Sequence, residues 1–388
     1  MKTILMGNTY TSGIRKEFEN RGYKILDLNQ VEAEIDIETA ERIIAEAAKK
    51  YAIDYLFTLD FFPCIAEACN KLNIRYISWV WDSPHASLWS KTSAYNTNFI
   101  FLFDYAQYQT QVGRGLSNVF YLPIGPDIDF FEQTITKDGG RSRKELETDV
   151  SFLGNLYTEP RYNLLSQVKY IPPYTKGYIE SVMNAQKQLW GVDLLNTCIG
   201  DEIWDSLKRY IKWEVGDSYD DGFYEATMTN IFGQKIAQTE RKELCSLLSS
   251  QFRFDLYTKS DTSFDLRIKN KGYADYKTRM PLIFKYSKIN INITIRSITS
   301  GIPLRVMDVL ACGGFLLTNY QPEILQYFED GKDLVVYSDF EDLCNKAEYY
   351  LEHEDERQSI AHSGYAKVKE LFSLDKQIDG IINTINMV

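Results

Sequence analysis

The run from Thr299 to Tyr337, TSGIPLRVMDVLACGGFLLTNYQPEILQYFEDGKDLVVY, leaves a chain few ways to fold. It reads as a loop, a helix, a Gly-Gly turn, a buried strand, and then a second loop and helix. Ser300 or Gly301 can open the first helix. Pro303 suits its first turn, because the N–H it lacks would be unpaired there. Gly313 suits the C-terminal stop, where glycine takes positive φ at little cost. Phe315 to Thr318 then fits a strand buried on both faces. Arg305, Asp308 and Cys312 fall at i, i+3 and i+7, on one helix face. Free N–H groups and the helix dipole favour phosphate at such a helix start. A carboxylate on the same stripe can accept from ribose hydroxyls, which makes the segment a candidate nucleotide-sugar site. Arg305 and Asp308 also fit an ordinary surface pair of an α/β helix.

The rest of the chain carries the same alternation. Thr3–Gly7, Tyr23–Leu28, Tyr55–Leu59, Tyr76–Val80, Phe99–Phe103 and Val119–Pro123 read as strands. Gly13–Arg21, Ile37–Tyr51 and Cys64–Leu72 read as helices between them. Strands alternating with helices imply a parallel, doubly wound sheet with ligands at the carboxyl ends of its strands. At 388 residues two domains are expected. KDGGRSRKE, Lys137–Glu145, reads as the linker. Domain one is then 1–136, the linker 137–148, and domain two 149–370. Within domain two, 162–250 is aromatic and helical by pattern, with Trp190, Trp204 and Trp213, and reads as an insertion. Phe254–Thr258, Lys288–Ile295 and Phe315–Leu317 resume the sheet. In Lys288–Ile295 the Ile/Asn alternation has period two, with one polar face.

Bulk properties narrow the function. Against 43 Lys and Arg stand 54 Asp and Glu, a net charge of −11, so a nucleic-acid backbone is an unfavourable partner. The six cysteines show no CxxC pair and no zinc spacing and read as free thiols in a reducing cytosol. MKTILMGNTYTSG reads as a first strand and not as a signal peptide. No stretch approaches the ~18 apolar residues of a membrane span.

Several residues follow strands and so fall where a site belongs. The first βα turn, Gly7–Gly13, is not GxGxxG, so a dinucleotide site is not supported. Asp60 follows the Tyr55–Leu59 strand. Asp82 and His85, in TrpValTrpAspSerProHis, follow the Tyr76–Val80 strand. Asp82-Ser83-Pro84 also fits a plain turn. Asp127-Ile128-Asp129 spells a DxD that fits a solvated loop or helix cap equally well.

Ser287–Thr294, Gly301–Asp308, Gly313–Asn319, Phe328–Tyr337, Asp149–Gly154 and Ile74–Pro84, taken in order, resemble the pattern of GT-B glycosyltransferases of the spore-maturation CgeB-type family. The resemblance covers most of the chain outside about 162–250. It implies two Rossmann-like domains facing a cleft, with 371–388 forming a helix that crosses back to the first. It implies transfer of a hexosyl group from a nucleotide-sugar donor, UDP-linked in most such families, to a hydroxyl on a protein, glycan or small molecule. The donor would lie in domain two and the acceptor in domain one. No metal and no other cofactor is expected, since protein donors meet the departing diphosphate. A cytoplasmic enzyme is expected, with the insertion as acceptor platform or homo-oligomer surface.

The resemblance also distributes roles. Asp82, His85 and Asp60 are candidate bases for the acceptor hydroxyl. The donor set is Gly154, Asn155, Arg161, Arg296, Ser300, Gly301, Arg305, Asp308, Gly313 and Gly314. Asp308 aligns with the second glutamate of a Glu-x7-Glu pattern whose first position is Ser300, so the complete pattern is absent. Glu370–Lys376 lacks the family's His-Thr-Tyr-Arg run. Rival readings are a nucleotide-sugar epimerase or hydrolase, and a non-catalytic module binding nucleotide-sugar or protein.

Overall fold

The computed structural model describes residues 2–7, 12–28, 36–162, 164–212 and 218–387, apart from the side chains of 166 and 167. Asn8–Thr11 of the first βα turn and Trp213 of the aromatic segment lie outside the described residues. The chain forms two compact units. One comprises Met1–Ile124, Trp213–Met228 and Leu374–Val388. The other comprises Gly125–Lys212 and Thr229–Ser373.

The first unit is a six-stranded sheet of β1 (Thr3–Gly7), β2 (Lys24–Leu28), β3 (Tyr55–Leu59), β4 (Arg75–Val80), β5 (Asn98–Leu102) and β6 (Val119–Tyr121). Its order is β2-β1-β3-β4-β5-β6, every pairing parallel. Helices α1 (Ser12–Asn20), α2 (Ile37–Lys50), α3 (Pro63–Leu72) and α4 (Tyr105–Gly113) follow β1, β2, β3 and β5. Alternate residues of each strand divide between two cores. Ile4, Phe57, Ile77, Trp79 and Phe101 meet Ile14 and Phe18 of α1. Leu5, Leu56, Tyr76 and Ile100 meet Ala40 and Ile44 of α2 and Ile65 and Cys69 of α3. A parallel sheet covered on both faces leaves its strand ends as the place for polar chemistry.

The second unit opens with α5 (Ile128–Asp138) and α6 (Arg143–Leu146). The expected boundary at 136 and linker at 137–148 are therefore displaced. Ile128, Phe131 and Leu146 are buried in this unit's core. Asp138 accepts hydrogen bonds from Ser142 Oγ at 2.5 Å and Tyr286 Oη at 2.7 Å. The polar, glycine-bearing segment is an exposed turn between two helices, anchored by buried Asp138.

Its sheet joins β7 (Val150–Leu153), β8 (Phe254–Tyr257), β9 (Ile289–Asn292), β10 (Leu316–Asn319) and β11 (Val335–Tyr337) in the order β11-β10-β9-β7-β8, again all parallel. Between β7 and β8 run α7 (Leu164–Gln167), α8 (Pro173–Gln188), α9 (Leu194–Thr197), α10 (Asp201–Tyr210) and α11 (Gly222–Gln251). The expected insertion thus sits inside one crossover connection. Its last helix is the crossover helix itself, and Leu244, Cys245 and Leu248 of α11 pack on the sheet. Part of the segment belongs to the first unit: Ser218 O accepts from Lys91 N at 2.8 Å, and Asp220 N donates to Trp89 O at 2.9 Å.

After β8 come α12 (Met280–Tyr286), α13 (Leu304–Ala311), α14 (Ile324–Tyr327), α15 (Phe340–Glu352), α16 (Glu354–Phe372) and α17 (Leu374–Met387). α13 starts at Leu304, with Pro303 as its N-cap, later than the sequence suggests. Gly313 follows its end at φ 65°. Residues of α17, with Ile378, Ile381 and Ile385, join the first unit's core.

The polar face of β9 is as buried as its isoleucine face. Asn290 Nδ2 donates to Phe284 O at 3.0 Å and Phe315 O at 3.1 Å, and its Oδ1 accepts from Ser151 Oγ at 3.0 Å. Asn292 Nδ2 donates to Thr318 Oγ1 at 3.0 Å. Each amide is satisfied, which is what makes it tolerable there. Gly314 belongs to this packing: a Cβ on it would lie 2.6 Å from Phe284 O and 2.8 Å from Asn290 Nδ2. Gly314→Ala is expected to lose about 1–3 kcal/mol of stability by overpacking, read by urea denaturation. An unchanged midpoint would show that the contact yields freely.

Candidate functional site

In the first unit, the segment after β4 and the residue after β3 come together. One ligating atom each of Asp60, Asp82 and His85 lies within 4.8 Å of the others. Asp60, just after β3, sits in the left-handed region, φ 62°. That conformation is sparse for a residue with a side chain, and here the surroundings hold it. Its N–H donates to Trp79 O at 2.9 Å, and its carboxylate accepts from Trp81 N at 2.9 Å.

Two residues that sequence reasoning missed, Asp104 at the N-cap of α4 and Gln107 within it, hold the Asp82 segment. Asp104 accepts from Ser83 Oγ at 2.7 Å while capping α4 through Ala106 N at 3.1 Å. Gln107, buried, accepts from His85 N at 2.6 Å and donates to Asp82 O at 3.2 Å. Their signal was faint, since an Asp before a helix reads only as a cap. The Ser83–Pro84 peptide bond is cis.

Asp82 and His85 differ in what they can offer. His85 Nε2 lies 3.0 Å from Phe61 O and 3.3 Å from Phe61 N, so that nitrogen is engaged with backbone. Asp82 is exposed. Surrounding protein nonetheless strips part of its hydration and raises its carboxyl above the ordinary value. The like charge of Asp60 adds to the rise and His85 opposes it. A carboxylate raised above its ordinary value yet open to solvent suits proton acceptance from a hydroxyl. Two carboxylates and an imidazole this close are also a donor set that a divalent cation accepts.

In the second unit, three loops gather at the carboxyl ends of β7, β9 and β10. After β7, Asn155 Oδ1 accepts from Tyr157 N at 2.6 Å and Ser260 Oγ at 3.0 Å. After β9, Arg296 is bound into a buried cluster. Its Nη2 and Nε meet Glu240 at 2.5 Å and 3.0 Å, and it donates to Leu189 O at 2.9 Å and Lys187 O at 2.7 Å. The ring of Trp190 lies 2.9 Å from its guanidinium carbon. Burial pushes the Glu240 carboxyl up and the Arg296 guanidinium down, and each partner opposes the other's shift. After β10, Gln321 Nε2 donates to Ile298 O at 3.1 Å and Gly301 O at 3.3 Å, and Ser300 Oγ donates to Glu323 at 2.7 Å. These bonds stitch the Arg296–Pro303 loop in place ahead of α13. Ser297 Oγ in that loop is buried without a partner.

The expected donor residues separate accordingly. Ser300, Gly301 and Arg305 gather around the start of α13. Gly154 lends its N–H to Tyr257 O at 3.2 Å, so that amide is spent within the sheet. Arg161 is exposed and lies over the Tyr162 ring at 4.6 Å. Arg296 is tied up in its buried pair, as described, which leaves it building the loop. Gly313 and Gly314 sit at the opposite end of α13 from Ser300. Asp308 has no solvent exposure and accepts from Tyr276 Oη at 2.9 Å and Arg305 Nη1 at 3.2 Å. Burial raises its carboxyl to about 6, against the pull of Arg305 and Tyr276. Asp127 of the DxD caps α5 through Phe130 N at 3.2 Å. Arg241 of α11 escaped the sequence reading. Its guanidinium donates to Asn155 O at 2.5 Å and Ile293 O at 2.7 Å, joining the ends of β7 and β9.

Against known proteins, residues 239–383 match a family described as glycosyl transferase-like. No curated protein matches. Solved structures agree in fold across the whole chain. A UDP-forming α,α-trehalose-phosphate synthase from Burkholderia vietnamiensis aligns with TM-score 0.55 at 12% identity, covering 100% of both chains. Sucrose-phosphate synthase from Thermosynechococcus elongatus gives 0.54 at 10%, covering 100% of this chain and 99% of that one. HepE of Anabaena, in complex with UDP-glucose, gives 0.52 at 10%, covering 100% of both. The architecture is that of GT-B glycosyltransferases, and together the family match and the fold support a glycosyltransferase.

Two outcomes test this reading of the charges. Glu240→Ala strands Arg296 without its partner and is expected to cost about 3–5 kcal/mol in urea denaturation, with part recovered in Glu240→Ala/Arg296→Met. A cost below 1 kcal/mol would show the pair to be incidental. Asp308 binds its proton more tightly folded than unfolded. Its contribution to stability is therefore full below the ordinary value of 3.8 and is lost as pH rises through about 6. Asp308→Asn should gain stability relative to wild type on going from pH 4 to pH 7; a parallel pair of curves would contradict this.

Proposed function

We propose that this protein transfers a hexosyl group from a UDP-linked sugar to a hydroxyl of a protein, glycan or small molecule, without a metal. The observation that carries the proposal is Asp82, an exposed carboxyl held above its ordinary pKa beside Asp60 and His85 at the carboxyl ends of β3 and β4. In the reaction, Asp82 accepts the proton of the acceptor hydroxyl. The hydroxyl oxygen bonds to the anomeric carbon, and the bond from that carbon to the diphosphate breaks, with the electron pair leaving on UDP.

The second unit supplies the donor side. Backbone N–H groups within Thr299–Ile302 and the Ser297 hydroxyl meet the diphosphate, and Arg305 stabilises the charge that develops on it. Asp308 acts as a positioning residue: it holds the Arg305 guanidinium and is itself held by Tyr276. The UDP-glucose bound to HepE and the UDP-forming activity of the trehalose-phosphate synthases support a UDP-linked donor. The ordered motifs from Ile74 to Tyr337 support the finer placement in the spore-maturation CgeB-type family. Free thiols at all six cysteines support a reducing, cytoplasmic setting. Among the described residues no helix is long and apolar enough to cross a membrane.

The test is nucleotide release from UDP-, GDP-, TDP- and CMP-sugars with and without a cell extract as acceptor. Acceptor-dependent release of UDP is expected. Release without acceptor points to a hydrolase, and binding without release points to a non-catalytic module. Asp82→Asn is expected to lower kcat about 10²–10⁴-fold while leaving UDP affinity unchanged. Full turnover in that variant would remove Asp82 from the mechanism.

A further inference from the structure

α8 and α9 of the second unit border a shallow, open groove of about 650 Å³ that no step of the proposed reaction uses. Its floor is a strip of small residues on α8, Gly177, Ser181 and Ala185, one turn apart and all exposed. A Cβ built on Gly177 meets nothing within 4 Å, so the floor is clear. The Ser181 hydroxyl turns back onto Gly177 O at 2.8 Å. Beside the strip stand Tyr174, with 67% of its surface exposed, and Tyr178, their ring centroids 6.3 Å apart. Tyr178 is fixed by its hydroxyl, which donates to Cys198 O at 2.7 Å across the groove.

We propose that this groove binds a saccharide chain. No lining residue is charged, which disfavours phosphate, nucleotide and charged peptide. Exposed tyrosine rings offer flat apolar faces with a polar edge. A hexose has the matching form, apolar C–H faces rimmed by hydroxyls, and a floor without bulky side chains lets its ring lie flat. Tyr178 is pre-set by its hydrogen bond, so less freedom is lost on binding. In placing part of an acceptor glycan here, the proposal rests on the transferase reading above; the binding itself does not.

The experiment is saturation-transfer NMR and titration of the full chain with neutral linear hexaoses of glucose, mannose and galactose, without nucleotide. At least one is expected to bind. Tyr174→Ala should weaken it about tenfold, a single lost ring contact, and Gly177→Trp should fill the floor and abolish it. Both variants should keep the thermal midpoint and the UDP affinity of wild type, which excludes misfolding. Binding by none of the hexaoses, or equal binding by the variants, would overturn the proposal. So would a wild-type dimer in sedimentation that Tyr174→Ala dissociates, because the groove would then belong to a second copy. Hexaose binding in a protein that transfers no sugar would leave the groove standing and remove the transferase reading.

Discussion

The buried pair of Arg296 and Glu240 is the interaction on which the second unit's candidate site depends. It fastens the loop after β9 to the crossover helix α11, and its spare donors fasten the same loop to the backbone of Lys187 and Leu189. One residue further along α11, Arg241 holds the loop after β7 and the end of β9. Two adjacent charges on one helix therefore set the positions of two loops that any ligand at the strand ends must meet. The arrangement is costly to form, because both ions leave water, and costly to break for the same reason. Rigid support of this kind is what a site needs if its donors are to meet developing charge without rearranging.

The sheets explain why polar chemistry collects where it does. In both units the strands are covered on two faces, so their interiors take chiefly apolar side chains or, more rarely, hydrogen-bonded amides. The β9 asparagines are the second kind. They point into the protein and bond to Ser151, Thr318 and backbone carbonyls. In the first unit the same constraint sends Asp60, Asp82 and His85 to the ends of neighbouring strands. Asp104 at the N-cap of α4 and Gln107 within it then fix the segment between Trp81 and His85.

Much of this was legible in the sequence because it is local. The strand and helix alternation, the Gly313 stop and the Arg305–Asp308 face follow from period, turn chemistry and spacing. What escaped is long-range. Nothing near Arg296 announces that Glu240 will neutralise it, since the two are brought together only by the β7-to-β8 crossover. Nothing near Asp308 announces Tyr276, whose hydroxyl closes over it and turns an expected ribose acceptor into a buried anchor. Gly313 and Gly314 matched a family pattern, yet close packing at the far end of α13 accounts for Gly314. KDGGRSRKE looked like a linker because its polarity and glycines are those of a linker. Leu146, which buries α6, lies just beyond it.

The central proposal is that the loop after β9, braced by those after β7 and β10, meets a nucleoside diphosphate. Hydrogen exchange followed by mass spectrometry, with and without saturating UDP, tests it directly. The account predicts slowed exchange in peptides covering 154–161, 296–303 and 320–323, with little change along the strands behind them. Unchanged exchange in all three loops while UDP is bound, or protection confined to other segments, would contradict it.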